Sequence, residues 1–301
     1  MKRTYIQSAV TLCLLFITLS VMGQASDRVR SIFPEGTITH GNISYANDTV
    51  KKHLLDIYLP AKATGKLPLV VWVHGGGWLS NDKYADMGYM RNTVKGFLEH
   101  GYALASIDYR FSTTVPMPAQ MHDCYQALEY LYQHAKEYNV DTDKIVLAGF
   151  SAGGHLASLV GLSVNNKVKS FYPNGQATHF KIKGVLDFYG PSDLMLLKGI
   201  NDPKSPEGIL IGGTPAETAA LAKAASPVTY ADKNDPPFLI IHGEKDTTVP
   251  NEQSKVMNQK LTEVSVKNEL IIVPNAPHFG VLFDQEDVRK KVFEFLEMSF
   301  K

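Results

Sequence analysis

Short apolar runs rich in β-branched residues alternate along the chain with longer stretches in which apolar positions recur every three or four residues. The runs predict strands at Leu54–Leu59, Leu69–Val73, Ala103–Ile107, Lys144–Ala148, Ile182–Phe188, Phe238–His242 and Glu269–Val273. The periodic stretches predict helices near Tyr84–His100, Pro118–Tyr138, Ala152–Leu162, Glu252–Leu261 and Gln285–Phe300. Strands alternating with helices in this way predict an α/β fold: a mostly parallel central sheet with helices on both faces.

Punctuation supports these boundaries. Gly101 follows His100, and Asn139 follows Tyr138, each where a left-handed helix cap is wanted. The alternation breaks between Pro191 and Pro237, a stretch with many Pro, Gly, Ala and Asp residues and no clear strand. It reads as a short cap-like excursion over the C-terminal edge of the sheet, where open parallel sheets bind ligands, and its length argues for some helix of its own. No repeat, low-complexity tract or linker divides the chain, so residues 25–301 are expected to form one domain that includes this excursion.

Composition narrows the function. Of 301 residues 44% are hydrophobic, enough for a large core, and 30 Lys plus Arg balance 30 Asp plus Glu. No net field draws the chain to nucleic acid or anionic lipid. The start reads as a basic Met1-Lys2-Arg3, an apolar run from Ala9 to Met22, then Gly23, Gln24 and Ala25. That is the pattern of a secretory signal peptide at residues 1–24, cut between Gly23 and Ser26; the run falls short of the roughly 20 apolar residues of a membrane span. Secretion or a periplasmic location follows, with no stable membrane insertion after cleavage. Removing the leader removes Cys13, leaving Cys124 as the only thiol, on an apolar helical stripe with Leu128 and Leu131 that predicts burial.

The chemistry concentrates after strands. Gly149-Phe150-Ser151-Ala152-Gly153-Gly154 lies between a predicted strand and a predicted helix, the setting of a nucleophile elbow, in which flanking glycines permit a sharp turn and expose the serine hydroxyl at a helix N-terminus. His74-Gly75-Gly76-Gly77-Trp78 follows another strand at the same edge, and its glycines can aim backbone N–H groups at a developing oxyanion, joined by that of Ala152. A serine needs a base and the base an orienting acid, here in the chain order Ser, acid, His. His278, in the turn-rich Pro274–Gly280 segment after a strand, is the best base; His155 and His179 compete from positions that suit structural roles. Asp246, after the strand Phe238–His242, is the best acid, with Glu244 and Asp193 as alternatives; Asp193 has helix capping as its ordinary explanation.

Together HGGGW, Asp108-Tyr109-Arg110, GFSAGG, Phe188-Tyr189-Gly190-Pro191-Ser192-Asp193 and HGEKDTTVP ahead of a late His resemble the α/β-hydrolase fold, and within it the hormone-sensitive-lipase-like serine esterases. The resemblance covers nearly all of the chain after the leader. It implies Ser151, Asp246 and His278 as catalytic residues, Gly76, Gly77 and Ala152 as the oxyanion hole, and structural roles for Asp108 and Arg110. The chain looks most like exported bacterial acetyl xylan and feruloyl esterases, which implies an acylated oligo- or polysaccharide as substrate. It departs from many relatives in lacking a sizeable N-terminal cap, since only about Ser26 to Asn42 precedes the first strand-like segment. An open site is the expected result.

Aromatic residues near the expected pocket, namely Trp78, Tyr109, Phe111, Tyr189 and Phe279, suit a sugar or a core equally; Trp78 is the candidate for touching substrate. No cofactor or metal is required, and no His or Cys cluster has ligand spacing. A general short-chain carboxylesterase or lipase, a serine peptidase of the prolyl oligopeptidase type, a formamidase, or a non-catalytic binding protein on the same fold remain as alternatives.

Overall fold

The computed structural model describes residues 29–63, 65–175, 178–212 and 215–301, so the leader expected at residues 1–24 lies outside the described residues. One sheet has the strand order β1-β2-β4-β3-β5-β6-β7-β8. Its strands are β1 (Ile38–Ser44), β2 (Leu54–Leu59), β3 (Leu67–Val73), β4 (Ala103–Ile107), β5 (Val140–Phe150), β6 (Gly184–Phe188), β7 (Phe238–Gly243) and β8 (Asn268–Val273). β2 pairs antiparallel with both β1 and β4, and every pairing from β4 across to β8 is parallel. Between strands run α1 (Arg91–Glu99), α2 (Ala119–Gln133), α3 (Ala152–Ser163), α4 (Pro206–Ile211), α5 (Pro215–Ala224) and α6 (Glu252–Glu263), and α7 (Glu286–Ser299) closes the chain.

Alternation along the strands sorts the core onto two faces. On one, Leu69, Val71, Ile145, Leu147 and Ile240 pack with Met121 and Leu128 of α2 and Leu156 and Val160 of α3. On the other, Val70, Trp72, Val146, Ala148 and Ile241 pack with Val94 and Phe97 of α1 and Val292 and Leu296 of α7. Both faces are covered, which is why the central strands are apolar at nearly every position. Each such side chain removed from water contributes roughly 1.5–3 kcal/mol. Cys124 is buried on α2 as its stripe predicts, and burial pushes its thiol up.

Four elements differ from expectation. Residues 84–90 form turns, and the helix expected from Tyr84 begins only at Arg91. Asp86 has φ +71°, a left-handed conformation that cannot continue a right-handed helix, and its Oδ2 accepts the Gly75 N–H at 2.8 Å. β1 is an additional edge strand with four exposed residues, so no alternating pattern betrays it, and its register shifts between His40 and Ile43 where the Asn42 N–H donates to Asp56 Oδ1 at 2.7 Å. β5 extends beyond Lys144–Ala148 at both ends, and its polar start, Asp141 to Lys144, hides that length. α2 stops at Gln133, followed by turns that end in Asn139 at φ +55°, while Gly101 closes α1 at φ +79°.

The segment from 191 to 237 carries α4, α5 and 3₁₀ turns at Leu194–Leu196, Lys198–Asn201 and Pro227–Thr229. Hydrogen bonds tie it to the sheet's helices: Gln253 of α6 receives the Ser192 and Asp193 N–H groups on Oε1, each at 2.8 Å. No helix among the described residues is long and apolar enough to cross a membrane.

Candidate active site

β5 ends at Phe150, and Ser151 turns the chain into α3 at φ +52° and ψ −117°. A side-chain-bearing residue in such a conformation costs on the order of 1–3 kcal/mol, and it persists only where its surroundings enforce it. Here the Ser151 N–H donates to Phe188 O of β6 at 2.8 Å, and its carbonyl accepts the His155 N–H at 2.9 Å. Glycine is required two residues on, because a Cβ at Gly153 would stand 2.1 Å from Val73 O and 2.5 Å from His74 O. The first turn of α3 is thereby pressed against the end of β3, and the chain leaving β3 is the glycine run.

In that run Gly76 and Gly77 have φ +121° and +58°, and among the described residues their N–H groups have no protein acceptor. The Ala152 N–H opens α3, where a helix leaves its first donors unpaired and its dipole favours negative charge. All three residues line one cavity with Ser151. Beneath the run, His74 stacks on Tyr109 at 4.3 Å, and the Tyr109 hydroxyl donates to His74 O at 2.9 Å. Burial lowers the His74 pKa, so this ring stays neutral.

Asp246 and His278 arrive on the loops after β7 and β8. His278 Nε2 lies 2.8 Å from Ser151 Oγ, and His278 Nδ1 lies 2.6 Å from Asp246 Oδ2. The other carboxylate oxygen, Oδ1, accepts the Thr248 and Val249 N–H groups at 2.8 and 2.9 Å. A further contact was not anticipated from the sequence: Nε2 of fully buried His242 lies 3.1 Å from Asp246 Oδ2. Burial alone would raise the Asp246 carboxyl, but hydrogen bonds from His242 and His278, the charge of His278 and the Val249 N–H outweigh it and hold the group well below the usual carboxylate range. The acid is thus fixed as an anion aimed at the base.

The competing residues have other partners. His155 is fully buried, receives the Trp78 indole N–H on Nδ1 at 3.2 Å and donates from Nε2 to Ala225 O at 2.7 Å. His179 Nδ1 pairs with Glu129 on the surface at 2.6 Å. Glu244 Oε2 accepts the Asn275 N–H at 2.8 Å and stitches the two loops together, and Asp193 accepts from Met195 N in a 3₁₀ turn. Asp108 bonds Lys52 Nζ at 2.8 Å, and Arg110 clamps Asp123 with contacts of 2.7–3.0 Å.

The cavity over Ser151 measures about 460 Å³ and is neither closed nor flat. A cleft of about 630 Å³ between the excursion and α6 is larger, but none of Ser151, Asp246 and His278 lines it. Of the five aromatics, Trp78, Tyr189 and Phe279 line the catalytic cavity. Tyr109 lies in the core, and Phe111 sits under Lys52 Nζ at 4.6 Å. Trp78 is only 2% exposed and its indole N–H is bonded to His155, so it offers a ligand little beyond apolar surface. Asp86 and Tyr89, which no spacing in the sequence marks as site residues, also line the cavity. Among the described residues no three His, Cys, Asp or Glu side chains are grouped as a metal site needs.

A mostly parallel sheet with a strained serine turn at its C-terminal edge, facing a histidine and an aspartate from later loops, defines the α/β-hydrolase fold of the hormone-sensitive-lipase-like esterases. More narrowly, the chain belongs to the BD-FAE family, whose model matches residues 55–261. It is similar to Esterase LipQ of Mycobacterium tuberculosis, with 30% identity over 233 residues that cover 76% of this chain and 54% of that protein. The chain spans between half and two thirds of the length of the curated relatives it matches. Among solved structures it is similar to a truncated carbohydrate esterase from gut microbiota, at 30% identity and TM-score 0.79, covering 89% of this chain and 98% of that one. A bifunctional GH43-CE of Bacteroides eggerthii also has TM-score 0.79, at 34% identity over 87% of this chain and 35% of that one.

Proposed function

We propose that this protein is an exported serine esterase that removes acetyl or feruloyl groups from plant cell-wall polysaccharide of the xylan type through an acyl-enzyme. The observation that carries the catalytic part is the unbroken chain Ser151 Oγ, His278 Nε2, His278 Nδ1, Asp246 Oδ2, with steps of 2.8 and 2.6 Å, beside the backbone donors of Gly76, Gly77 and Ala152.

His278 Nε2 takes the Ser151 proton as Oγ bonds to the ester carbonyl carbon. The three N–H groups hold the resulting oxyanion, each such donor being worth on the order of a hundredfold to a thousandfold in turnover. His278 then returns its proton to the alcohol oxygen as the carbon–oxygen bond breaks. Water repeats the sequence on the acyl-enzyme, and the acid leaves. Asp246 stays ionised throughout and stabilises the imidazolium.

The carbohydrate part is supported by likeness to a carbohydrate esterase across 98% of its chain, by a cavity open enough for a bulky alcohol, and by Phe279 at 62% exposure on its rim. Export rests on the leader pattern at residues 1–24. The test is release of acetate and ferulate from acylated xylo-oligosaccharides, with nitrophenyl acetate alongside and Ser151→Ala as control. The variant should lose on the order of 10⁵-fold or more in kcat with an unaltered melting curve. Turnover of nitrophenyl acetate alone would retire the polysaccharide substrate, and full turnover by Ser151→Ala would remove the serine mechanism.

A further inference from the structure

The cavity has a chemically distinct flank beside His278. In the proposed reaction the leaving alcohol must receive its proton from His278 Nε2, so the alcohol occupies this flank. Phe279 projects next to the base at 62% exposure, with its ring 6.2 Å from those of His278 and Tyr89. Tyr189 also packs against the base, its ring 4.9 Å from the imidazole. The Tyr89 hydroxyl donates to Asp86 Oδ1 at 2.6 Å and lies 2.6 Å from the Tyr189 hydroxyl. Since Tyr89 gives its proton to Asp86, Tyr189 gives its own to Tyr89.

Both phenolic protons therefore run toward Asp86, whose other oxygen holds the Gly75 N–H at 2.8 Å. What remains for a ligand on this wall is acceptor capacity: spare lone pairs on the carboxylate and on the phenolic oxygens. A wall of acceptors selects a ligand that brings donors. Glu207, which also lines the cavity, adds a second carboxylate, and no Lys or Arg lines the cavity among the described residues. Asp86 keeps its left-handed φ of +71° although it carries a side chain, a strain that needs enforcement by its neighbours.

We propose that Asp86, Tyr89 and Phe279 form the leaving-alcohol subsite, binding a neutral, hydroxyl-rich ring with Phe279 against its C–H face and the Asp86–Tyr89 acceptors on its free hydroxyls. This rests on the polysaccharide reading above and sharpens it. A ring carrying a carboxylate next to the scissile ester meets the carboxyl groups of Asp86 and Glu207 and, among the described residues, no Lys or Arg, so uronate-bearing alcohols are poor leaving partners.

Three acetyl esters that differ only in their alcohol test this subsite: acetylated xylobiose, an acetylated xylo-oligosaccharide with a uronate beside the ester, and ethyl acetate. The readout is the ratio of kcat/KM between esters for the wild type, Asp86→Asn, Tyr89→Phe and Phe279→Ala. The wild type should favour xylobiose acetate over ethyl acetate, and that ratio should fall about tenfold in Asp86→Asn and Phe279→Ala, as loss of a hydrogen bond to a charged group or of a ring contact implies. The uronate ester should be the poorer sugar substrate, and Asp86→Asn should narrow the gap. Ratios within twofold of wild type in all three variants, with the sugar preference intact, overturn the subsite and leave the polysaccharide reading standing. A wild type that favours ethyl acetate removes both.

Discussion

The two halves of the catalytic site are held in place by different forces. On the nucleophile side, backbone is packed against backbone: a Cβ at Gly153 would stand 2.1 Å from Val73 O, and Ser151 is forced to φ +52°. On the acid–base side, hydrogen bonds do the holding. Lys245 N–H donates to Ala276 O at 2.9 Å, Glu244 N–H to Val273 O at 3.0 Å, and Asp246 accepts from two backbone N–H groups and two imidazoles. A steric constraint admits almost no adjustment, whereas a set of hydrogen bonds can lose one member and keep its shape approximately. The nucleophile side should therefore fail abruptly and the acid–base side by degrees.

The largest effect is expected at Gly153→Ala. Its methyl group meets two main-chain oxygens, neither of which can rotate away, so β3 and α3 must part. The expected cost is about 3 kcal/mol of stability, together with at least about a hundredfold in kcat, since the glycine run moves with β3. Thermal melting and nitrophenyl acetate turnover read the two effects. A variant that melts and reacts like wild type would mean that the packing here is slack.

This division also explains what the sequence could reveal. The backbone-determined half was legible, because sharp turns and close approaches leave glycines in the chain: Gly149, Gly153, Gly76 and Gly77 announce themselves beside predicted strands. Ser151, Asp246 and His278 were legible from strand ends and chain order, and the structure brings all three together within 2.8 Å steps. The contacts around them were not. Asp86 lay in a stretch with apparent helical period, and its turn is set by the Gly75 N–H, which is eleven residues away. In the sequence His242 is the last residue of a predicted strand, although its place four residues before Asp246 is a signal that marks it. β1 escaped because an exposed edge strand carries no apolar alternation.

His155→Leu comes next in size, since His155 joins the nucleophile side to the excursion. Leucine leaves the Trp78 N–H and the Ala225 carbonyl without their partner, at a combined cost of about 2–4 kcal/mol. The substitution also changes pH dependence. Burial pushes the His155 pKa down to about 4, against roughly 6.5 in an unfolded chain. The folded state refuses a proton that the unfolded state accepts, so this contribution is fully present above about pH 6.5 and is lost as pH falls toward about 4. Denaturation followed from pH 8 to pH 4 should show the stability difference between wild type and variant shrinking over that window. A difference independent of pH would mean that the ring takes up its proton as readily in the fold as in the unfolded chain.

The smallest effect is expected at His242, on the side that yields by degrees. Asp246 Oδ2 is shared between His278 Nδ1 at 2.6 Å and His242 Nε2 at 3.1 Å. His242 Nε2 also faces Val249 O at 2.9 Å, so this nitrogen carries the proton, and Nδ1, 2.6 Å from Ser254 Oγ, accepts the hydroxyl. His242 is then a positioning residue: it touches neither substrate nor Ser151 but stops the Asp246 carboxylate from rotating about its two backbone donors. His242→Leu should lower kcat about tenfold through a misdirected imidazole while leaving KM near its wild-type value. His242→Gln, whose amide nitrogen can reach the place of Nε2, should restore most of that loss. Leucine and glutamine variants that lose kcat equally, with KM rising in both, would mean that the ring only fills space and that Asp246 is aimed by Thr248 and Val249 alone.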